Sequence, residues 1–196
     1  MSIQIEDLLI YRKVKYAIVG ISLGADQFFD PRVFGVYPTS VSSACWRGYQ
    51  AVFTVFRTQL ILTSFHASFY KKPKNSGSKY RSLRLPKING VSPRRRVKDC
   101  SFNNNYSGLN YPINYTGGLL IGQGFIQRLH GLIAFHSAWK FKTVFELIFE
   151  NGTLISETDR SRFMVDYRRQ VLRESNDSTM ERLDFAFSEI DQSYKF

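Results

Sequence analysis

The fold of this chain is most constrained by short alternating stretches that meet at tight turns. Residues 141–150 alternate large apolar side chains with polar ones, and residues 153–157 resume after Asn151-Gly152. Asn-Gly is typical of the type I′ turn that joins two antiparallel strands, and alternation places successive side chains on opposite faces. We therefore predict a hairpin here, with Phe145, Leu147 and Phe149 buried and the opposite face in water.

A second hairpin is predicted from residues 48–56 and 59–65, which flank Arg57-Thr58. A two-residue turn pairs Phe53 with Leu62 and Tyr49 with His66. One face then carries the expected core residues Tyr49, Ala51, Phe53, Val55, Leu60 and Leu62. Residues 8–10 and 16–21 are predicted to form another strand pair.

Other parts of the chain show weaker patterns. Residues 103–112 (NNNYSGLNYP) are polar and are expected to form turns. Residues 115–121 and 125–129 are expected to be strands around several glycines. Because this glycine run matches neither dinucleotide-binding nor P-loop spacing, we expect its glycines to mark bulges or bends.

The C-terminal part has helical spacing. Asp159 or Ser161 can cap a helix to about Glu174, with Phe163, Tyr167 and Val171 on one face. A second helix is expected from Ser178, with Glu181 completing a capping box. Its inner face would carry Leu183, Phe187, Ile190 and Tyr194. The predicted fold class is α+β, with mainly antiparallel sheets in hairpins, sandwich or barrel-like, and two C-terminal helices.

Two units follow from this pattern: a β-rich domain over 1–158 and a helical element over 159–196 packed on it. The 196 residues are 43% hydrophobic, which is enough for a sizeable core. The two cysteines do not make a disulfide framework. The N-terminus lacks the basic start of a signal peptide, and no apolar run is long enough to span a membrane. We expect a cytoplasmic protein.

Net charge is concentrated in one stretch. Eleven of the 27 basic residues lie between Lys71 and Lys98, which contains no Asp or Glu, while the other 16 face 16 acids. No apolar period is evident there, so we predict a basic loop inserted at about 71–98. Cations neutralise phosphates and tyrosine rings stack on bases, which suggests a nucleic-acid or other polyanion site. The candidate residues are Lys71, Lys72, Lys74, Lys79, Tyr80, Arg81, Arg84, Lys87, Arg94, Arg95, Arg96 and Lys98.

A second motif runs Ser-Ala-Cys45-Trp46-Arg47-Gly48-Tyr49, and the string Tyr-Thr-Gly-Gly-Leu-Leu-Ile follows at 115–121. Together these resemble an uncharacterised group of bacterial proteins with S-T-A-C-W-R-G-Y and F-T-G-E-L-x-I-P-x-G motifs. The chain departs from that pattern at 118 and 122, where it has glycine. The resemblance implies a bacterial origin and a shared fold over residues 8–157. It implies no catalytic residue.

The motif offers two chemical candidates. Cys45 would be a nucleophile if a histidine lay within reach, but a small buried hydrophobe is the favoured interpretation. Arg47 either presents its guanidinium to an anion or forms a salt bridge with an acid on another strand, and the salt bridge is favoured. Two cysteines and three histidines, among them His130 and His136, form no closed metal site. No cofactor is expected.

The sequence thus favours a non-catalytic binding protein that uses a basic loop to hold nucleic acid or an acidic protein. One alternative is a protein-interaction role, as an immunity or accessory defence subunit partnered by a protein encoded by a neighbouring gene. A second alternative is a hydrolase with Cys45 as nucleophile. No membrane partner is expected.

Overall fold

A computed structural model describes residues 4–22, 28–40, 42–71, 81–95, 101–129, 136–174 and 194–195. One helix, α1, spans Ser161–Glu174. The strands are β1 Leu8–Tyr11, β2 Val14–Ser22, β3 Tyr49–Phe56, β4 Gln59–Ala67, β5 Tyr70–Lys71, β6 Arg81–Ser82, β7 Asn104–Pro112, β8 Gly117–Phe125, β9 Phe141–Glu150, β10 Thr153–Asp159 and β11 Tyr194–Lys195. The described chain is therefore β-rich, with mainly antiparallel pairing, as the sequence predicts.

Seven strands pair in a closed circuit. The neighbours run β1, β3, β4, β10, β9, β8 and β2, and β2 pairs back to β1. Among the described strand pairs, only β1 and β3 are parallel. β10 pairs with β4 through one residue pair, Thr153 and Gln59. β7 lies outside the circuit and pairs with the rest of that edge of β4, from Ile61 to Ala67. The circuit encloses a core because alternate residues of each strand point inward.

The three predicted hairpins are present. Arg12-Lys13 and Asn151-Gly152 join their strands with both residues at positive φ, as a type I′ turn requires. Phe53 pairs with Leu62 as predicted. Tyr49, however, faces Ala67 and not His66, because a bulge after Val52 shifts the register by one residue.

The main core lies inside the circuit and is rich in aromatic rings. Phe53, Phe65 and Tyr115 are fully buried there, and Phe28 and Phe29 enter from the loop after β2. The ring of Phe29 meets those of Phe53 and Phe65 edge-on, at 5.6 and 5.8 Å between centroids. These contacts hold the irregular segment 28–40 on the body of the domain.

A smaller core lies on the outer face of β2, β8 and β9. Leu120 and Val144 point outward into it, and Trp139 and Met164 cover them. Because Leu119 and Ile121 point into the main core, β8 is buried on both faces. The helix α1 therefore packs against the outside of the closed sheet.

Two further local predictions were wrong. Residues 103–112 were expected to form turns, but all except the first belong to strand β7. The polar Asn104 and Asn105 can be buried in this strand because their side chains are hydrogen-bonded. The strand expected after Phe125 is absent, because β8 runs through the glycines and then gives way to a short 3-10 turn at Gln127–Leu129. A Cβ on Gly122 would lie 2.7 Å from the Phe141 ring, so glycine is required for that contact.

The C-terminal prediction is confirmed for α1, although its buried face differs. Met164 and Arg168 are buried, whereas Phe163 is 59% exposed. Arg168 donates to the carbonyls of Trp139 and Phe141, which explains how a cation sits on the buried side. The second predicted helix lies outside the described residues, except that Tyr194 is in strand β11. None of the described helices is both long and apolar enough to cross a bilayer.

Candidate polyanion-binding face

The basic stretch begins as a hairpin. β5 and β6 pair Tyr70 with Ser82 and Lys71 with Arg81, so the start of the predicted loop lies beside Arg81. Six of the predicted binding residues lie outside the described residues: Lys72, Lys74, Lys79, Tyr80, Arg96 and Lys98. Of the remaining six, the structure describes the side chains of Arg84, Lys87, Arg94 and Arg95, and all four are exposed.

Residues 83–95 run across the body of the domain. Leu85 and Ile88 are buried in the main core, at 4% and 1% exposure. Arg84 and Lys87 stand next to these anchors and point to solvent. Burial of two large aliphatic side chains fixes the backbone between them, so the neighbouring cations project from a packed segment.

Adjacent asparagines of β7 and its approach clamp this segment. The Asn104 side chain accepts from the Leu85 N–H at 2.9 Å and donates to the Leu83 carbonyl at 2.9 Å. Asn103 makes the same two-point contact with Phe69, at 2.9 and 3.0 Å. Each amide thus replaces the backbone partner that a neighbouring strand would provide. The clamp holds both flanks of the β5–β6 hairpin.

Further contacts fasten the rest of the segment. Asn105 and Arg94 exchange both backbone hydrogen bonds, at 2.7 and 2.9 Å. The Tyr106 hydroxyl donates to the Pro86 carbonyl at 2.6 Å, and Asn89 Nδ2 donates to the Leu109 carbonyl at 2.7 Å. The segment therefore follows β7 like an irregular additional strand.

A turn within this segment has a sequence signal that the predicted elements do not include. Asn89 and Gly90 both have positive φ, and the flanking Ile88 and Val91 exchange backbone hydrogen bonds at 3.0 and 2.8 Å. An Asn-Gly pair between two β-branched residues predicts this type I′ turn. The clamping asparagines had no comparable signal, because their partners lie between 19 and 34 residues earlier in the chain.

The cations on this face differ electrostatically from other arginines of the domain. Salt bridges bind Arg12 to Glu157, Arg32 to Asp30, Arg47 to Asp7 and Arg160 to Glu146. By contrast, no acid of the described ranges forms a salt bridge with Arg84, Lys87 or Arg94. Their charge is thus available to an external anion. We call the exposed cations Arg84, Lys87, Arg94 and Arg95 the basic face.

The Cys45–Tyr49 motif lies elsewhere and acts as a bracket. Arg47 donates to both carboxylate oxygens of Asp7, at 2.7 and 3.2 Å, and to the Ile5 carbonyl at 3.1 Å. Its guanidinium lies 4.8 Å from the centroid of the Tyr49 ring. The salt bridge expected of Arg47 is therefore present, although Asp7 lies just before β1 and not on a strand, and the guanidinium joins the N-terminal segment to β3.

The rest of the motif supports the same bracket. The Trp46 N–H donates to Gln4 Oε1 at 2.8 Å, while the Trp46 side chain is 48% exposed. Gly48 has a φ of +71°, in the left-handed region, and a Cβ there would lie 2.6 Å from the Thr39 carbonyl oxygen. Only glycine fits that close approach without a backbone shift.

Cys45 is not arranged as a nucleophile. Its side chain is buried, and Sγ donates to the Tyr49 carbonyl at 3.3 Å. Burial raises the pKa of the Cys45 thiol, and nearby N–H groups and Arg47 only partly oppose it. His66 contacts Asn105 through Nδ1 at 2.9 Å and stacks on Phe102. A protonated thiol without a base among its contacts does not favour the hydrolase alternative.

The sequence predicts no closed metal site. Across the parts of the chain that the structure describes, no group of three His, Cys, Asp or Glu side chains is placed to hold a metal ion. His136 packs against the Phe125 ring at 4.2 Å between centroids. His130 lies outside the described residues.

Comparison with known proteins yields no match among protein-family models, curated proteins or solved structures. The resemblance to the bacterial group therefore stays a prediction.

Proposed function

We propose that this protein binds nucleic acid through the basic face, without catalysing a reaction on it. The observation that carries the proposal is that Arg84, Lys87 and Arg94, which form no salt bridge with a described acid, are mounted on a clamped segment. Arg84 and Lys87 flank two buried anchors, and Arg94 is held by two backbone hydrogen bonds to β7. A fixed array loses less side-chain and backbone entropy on binding than cations on a free loop.

Charge accounts for the class of ligand. A phosphate backbone presents regularly spaced anions, and each cation that neutralises one releases a condensed counterion. Arg84, Lys87 and Arg94 form no salt bridge with an acid of the described residues, so their charges are available for such contacts. An acidic protein surface is the other ligand of matching charge.

The proposal is tested by comparing two triple variants of the full chain. Arg84→Gln, Lys87→Gln and Arg94→Gln remove three charges from the basic face. Lys15→Gln, Lys142→Gln and Arg162→Gln remove three charges from exposed positions on β2, β9 and α1. Binding to labelled single-stranded and duplex oligonucleotides is measured by fluorescence anisotropy at several salt concentrations.

The basic-face variant should bind more weakly, and its plot of log affinity against log salt should be shallower by up to about 3. The loss should be similar for all oligonucleotide sequences, because phosphate contacts carry no sequence information. The control variant should retain most of the affinity. Equal losses in both variants would show that binding follows net charge alone and would contradict the proposal.

The structure also dictates which deletion is informative. Removing residues 71–98 would take Leu85 and Ile88 out of the core. Losing two such side chains costs several kcal/mol, so this deletion would confound folding with binding. The point substitutions avoid that problem because all three side chains are exposed. Binding of an acidic protein with no binding of either oligonucleotide would reject nucleic acid as the ligand.

A further inference from the structure

The outer surface of the closed sheet carries a groove that the basic face does not use. It has a volume of about 660 Å³ and lies where α1 covers only part of β8, β9 and β10. Leu120 and Ile148 form its floor, and Trp139, Phe163 and Tyr167 contribute aromatic walls. This volume is within the range of small-molecule sites, and the lining is mainly apolar.

Carboxylates stand at the same groove. Glu146 and Glu150 lie on the outer face of β9, on either side of Ile148, and both line the groove. Arg160 donates to Glu146 Oε2 through Nε at 2.9 Å and through an Nη at 2.6 Å. This pair neutralises Arg160. Glu150 forms no salt bridge with any base of the described ranges, so the lining keeps one net negative charge.

The aromatic walls favour a cationic ligand, as does the net negative charge of the lining. The Phe163 and Tyr167 rings are stacked, with 6.0 Å between centroids and 14° between planes. Lys140 Nζ already lies 5.4 Å from the centroid of the Trp139 ring, so the rings that can receive a ligand cation are those of α1. Aromatic faces attract cations, and rings combined with carboxylates are the chemistry that recognises substituted ammonium groups.

We propose that the groove between α1 and the β8–β9–β10 surface binds a small apolar molecule that carries one ammonium group. The apolar body lies on Leu120 and Ile148, and the ammonium group lies near Glu150 and the rings of α1. An anionic ligand of the same size is disfavoured, because the only guanidinium of the described lining is held by Glu146. This site is independent of nucleic-acid binding by the basic face.

Trp139 offers a direct reporter. The chain has two tryptophans, and Trp46 lies in the Cys45–Tyr49 bracket with a half-exposed side chain. In a Trp46→Phe background, the fluorescence of Trp139 reports the groove alone. Three probes of similar body are titrated into the full chain: benzyltrimethylammonium, uncharged benzyl alcohol and anionic benzenesulfonate.

Saturable quenching should be strongest for benzyltrimethylammonium and weakest for benzenesulfonate. Glu150→Gln should weaken the cation about fivefold and leave benzyl alcohol unchanged, because it removes charge without filling the groove. Asp166→Asn is the matched control, since Asp166 is an exposed acid of α1 outside the described lining. Ile155→Arg should block all three probes, whereas Val14→Arg, at an exposed position on β2, should not.

Two results would overturn the proposal. One is the absence of saturable quenching by the cation. The other is equal affinity for the three probes, with Glu150→Gln and Asp166→Asn behaving alike. Circular dichroism of each variant confirms that the fold is retained, so that a lost signal reports the groove and not unfolding.

Discussion

The backbone N–H of Leu85 donates to Asn104 Oδ1 across 2.9 Å, and both residues are buried. Nδ2 of the same Asn104 side chain donates to the Leu83 carbonyl. One side chain therefore hydrogen-bonds two backbone groups of the segment that carries the basic face. The charge of that segment and its attachment to the fold therefore depend on different residues. The attachment is a property of β7.

Asn104→Ala should lower the free energy of unfolding by about 1–3 kcal/mol. The substitution leaves a buried N–H and a carbonyl without their partners, and that desolvation cost is not recovered. Urea denaturation measures the effect. Asn114→Ala is the control, because Asn114 is exposed, and it should change stability by less than about 0.5 kcal/mol. Equal effects would show that the clamp does not stabilise the fold.

Arg47→Met should cost about 3–5 kcal/mol, since it leaves the Asp7 carboxylate buried without its partner. Arg169→Met is the matched control: Arg169 and Asp166 form an exposed pair, and its loss should cost less than about 1 kcal/mol. Chemical denaturation gives both values. The double variant Asp7→Asn/Arg47→Met should be more stable than Arg47→Met alone. If the double variant is no more stable, the uncompensated charge is not the cause.

Cys45 should react more slowly with a thiol reagent at pH 7.5 than the thiol of a short unstructured peptide. Burial raises its pKa, which lowers the thiolate fraction, and the closed site limits access. A Cys100→Ser background leaves Cys45 as the single thiol. The rate should rise to the peptide value in denaturant. A folded-state rate above that of the peptide would restore the hydrolase alternative.

Stability should fall as the pH is lowered from 7.5 to 5.5. Burial lowers the pKa of His66 below its ordinary 6.5, whereas the unfolded chain keeps that value. Between these two pKa values the unfolded state binds more protons than the folded state. The contribution of His66 to stability is therefore fully present above pH 6.5 and is lost as the pH falls toward the folded pKa. His66→Gln, which keeps an amide donor toward Asn105, should reduce this loss in urea titrations. An unchanged pH dependence would exclude His66 as its source.

Local patterns were sufficient for the hairpins. Asn151-Gly152 and the alternation of β9 specify a turn and a buried face within a single pair of strands, so neighbouring residues contain the needed information. The same argument would have found the turn at Asn89-Gly90. The register predicted for the β3–β4 hairpin was wrong at Tyr49, because a bulge adds a residue that no local pattern indicates.

Long-range partners decided the rest. β7 was mistaken for turns because polar residues rarely occupy buried strand positions unless hydrogen-bonded, and the partners of Asn104 lie at 83 and 85. The groove depends on side chains from β8, β9 and α1, which only the closure of the sheet brings together. Neither feature follows from any window of the sequence.

The sequence by itself determined that eleven cations lie in one stretch and that three hairpins form, because composition and alternation are local properties. The tertiary structure decided where those cations stand. Packing of Leu85 and Ile88 into the core and hydrogen bonds from Asn103 and Asn104 place part of the stretch against β7. A charge pattern can indicate a polyanion, but only contacts between distant residues turn it into a surface.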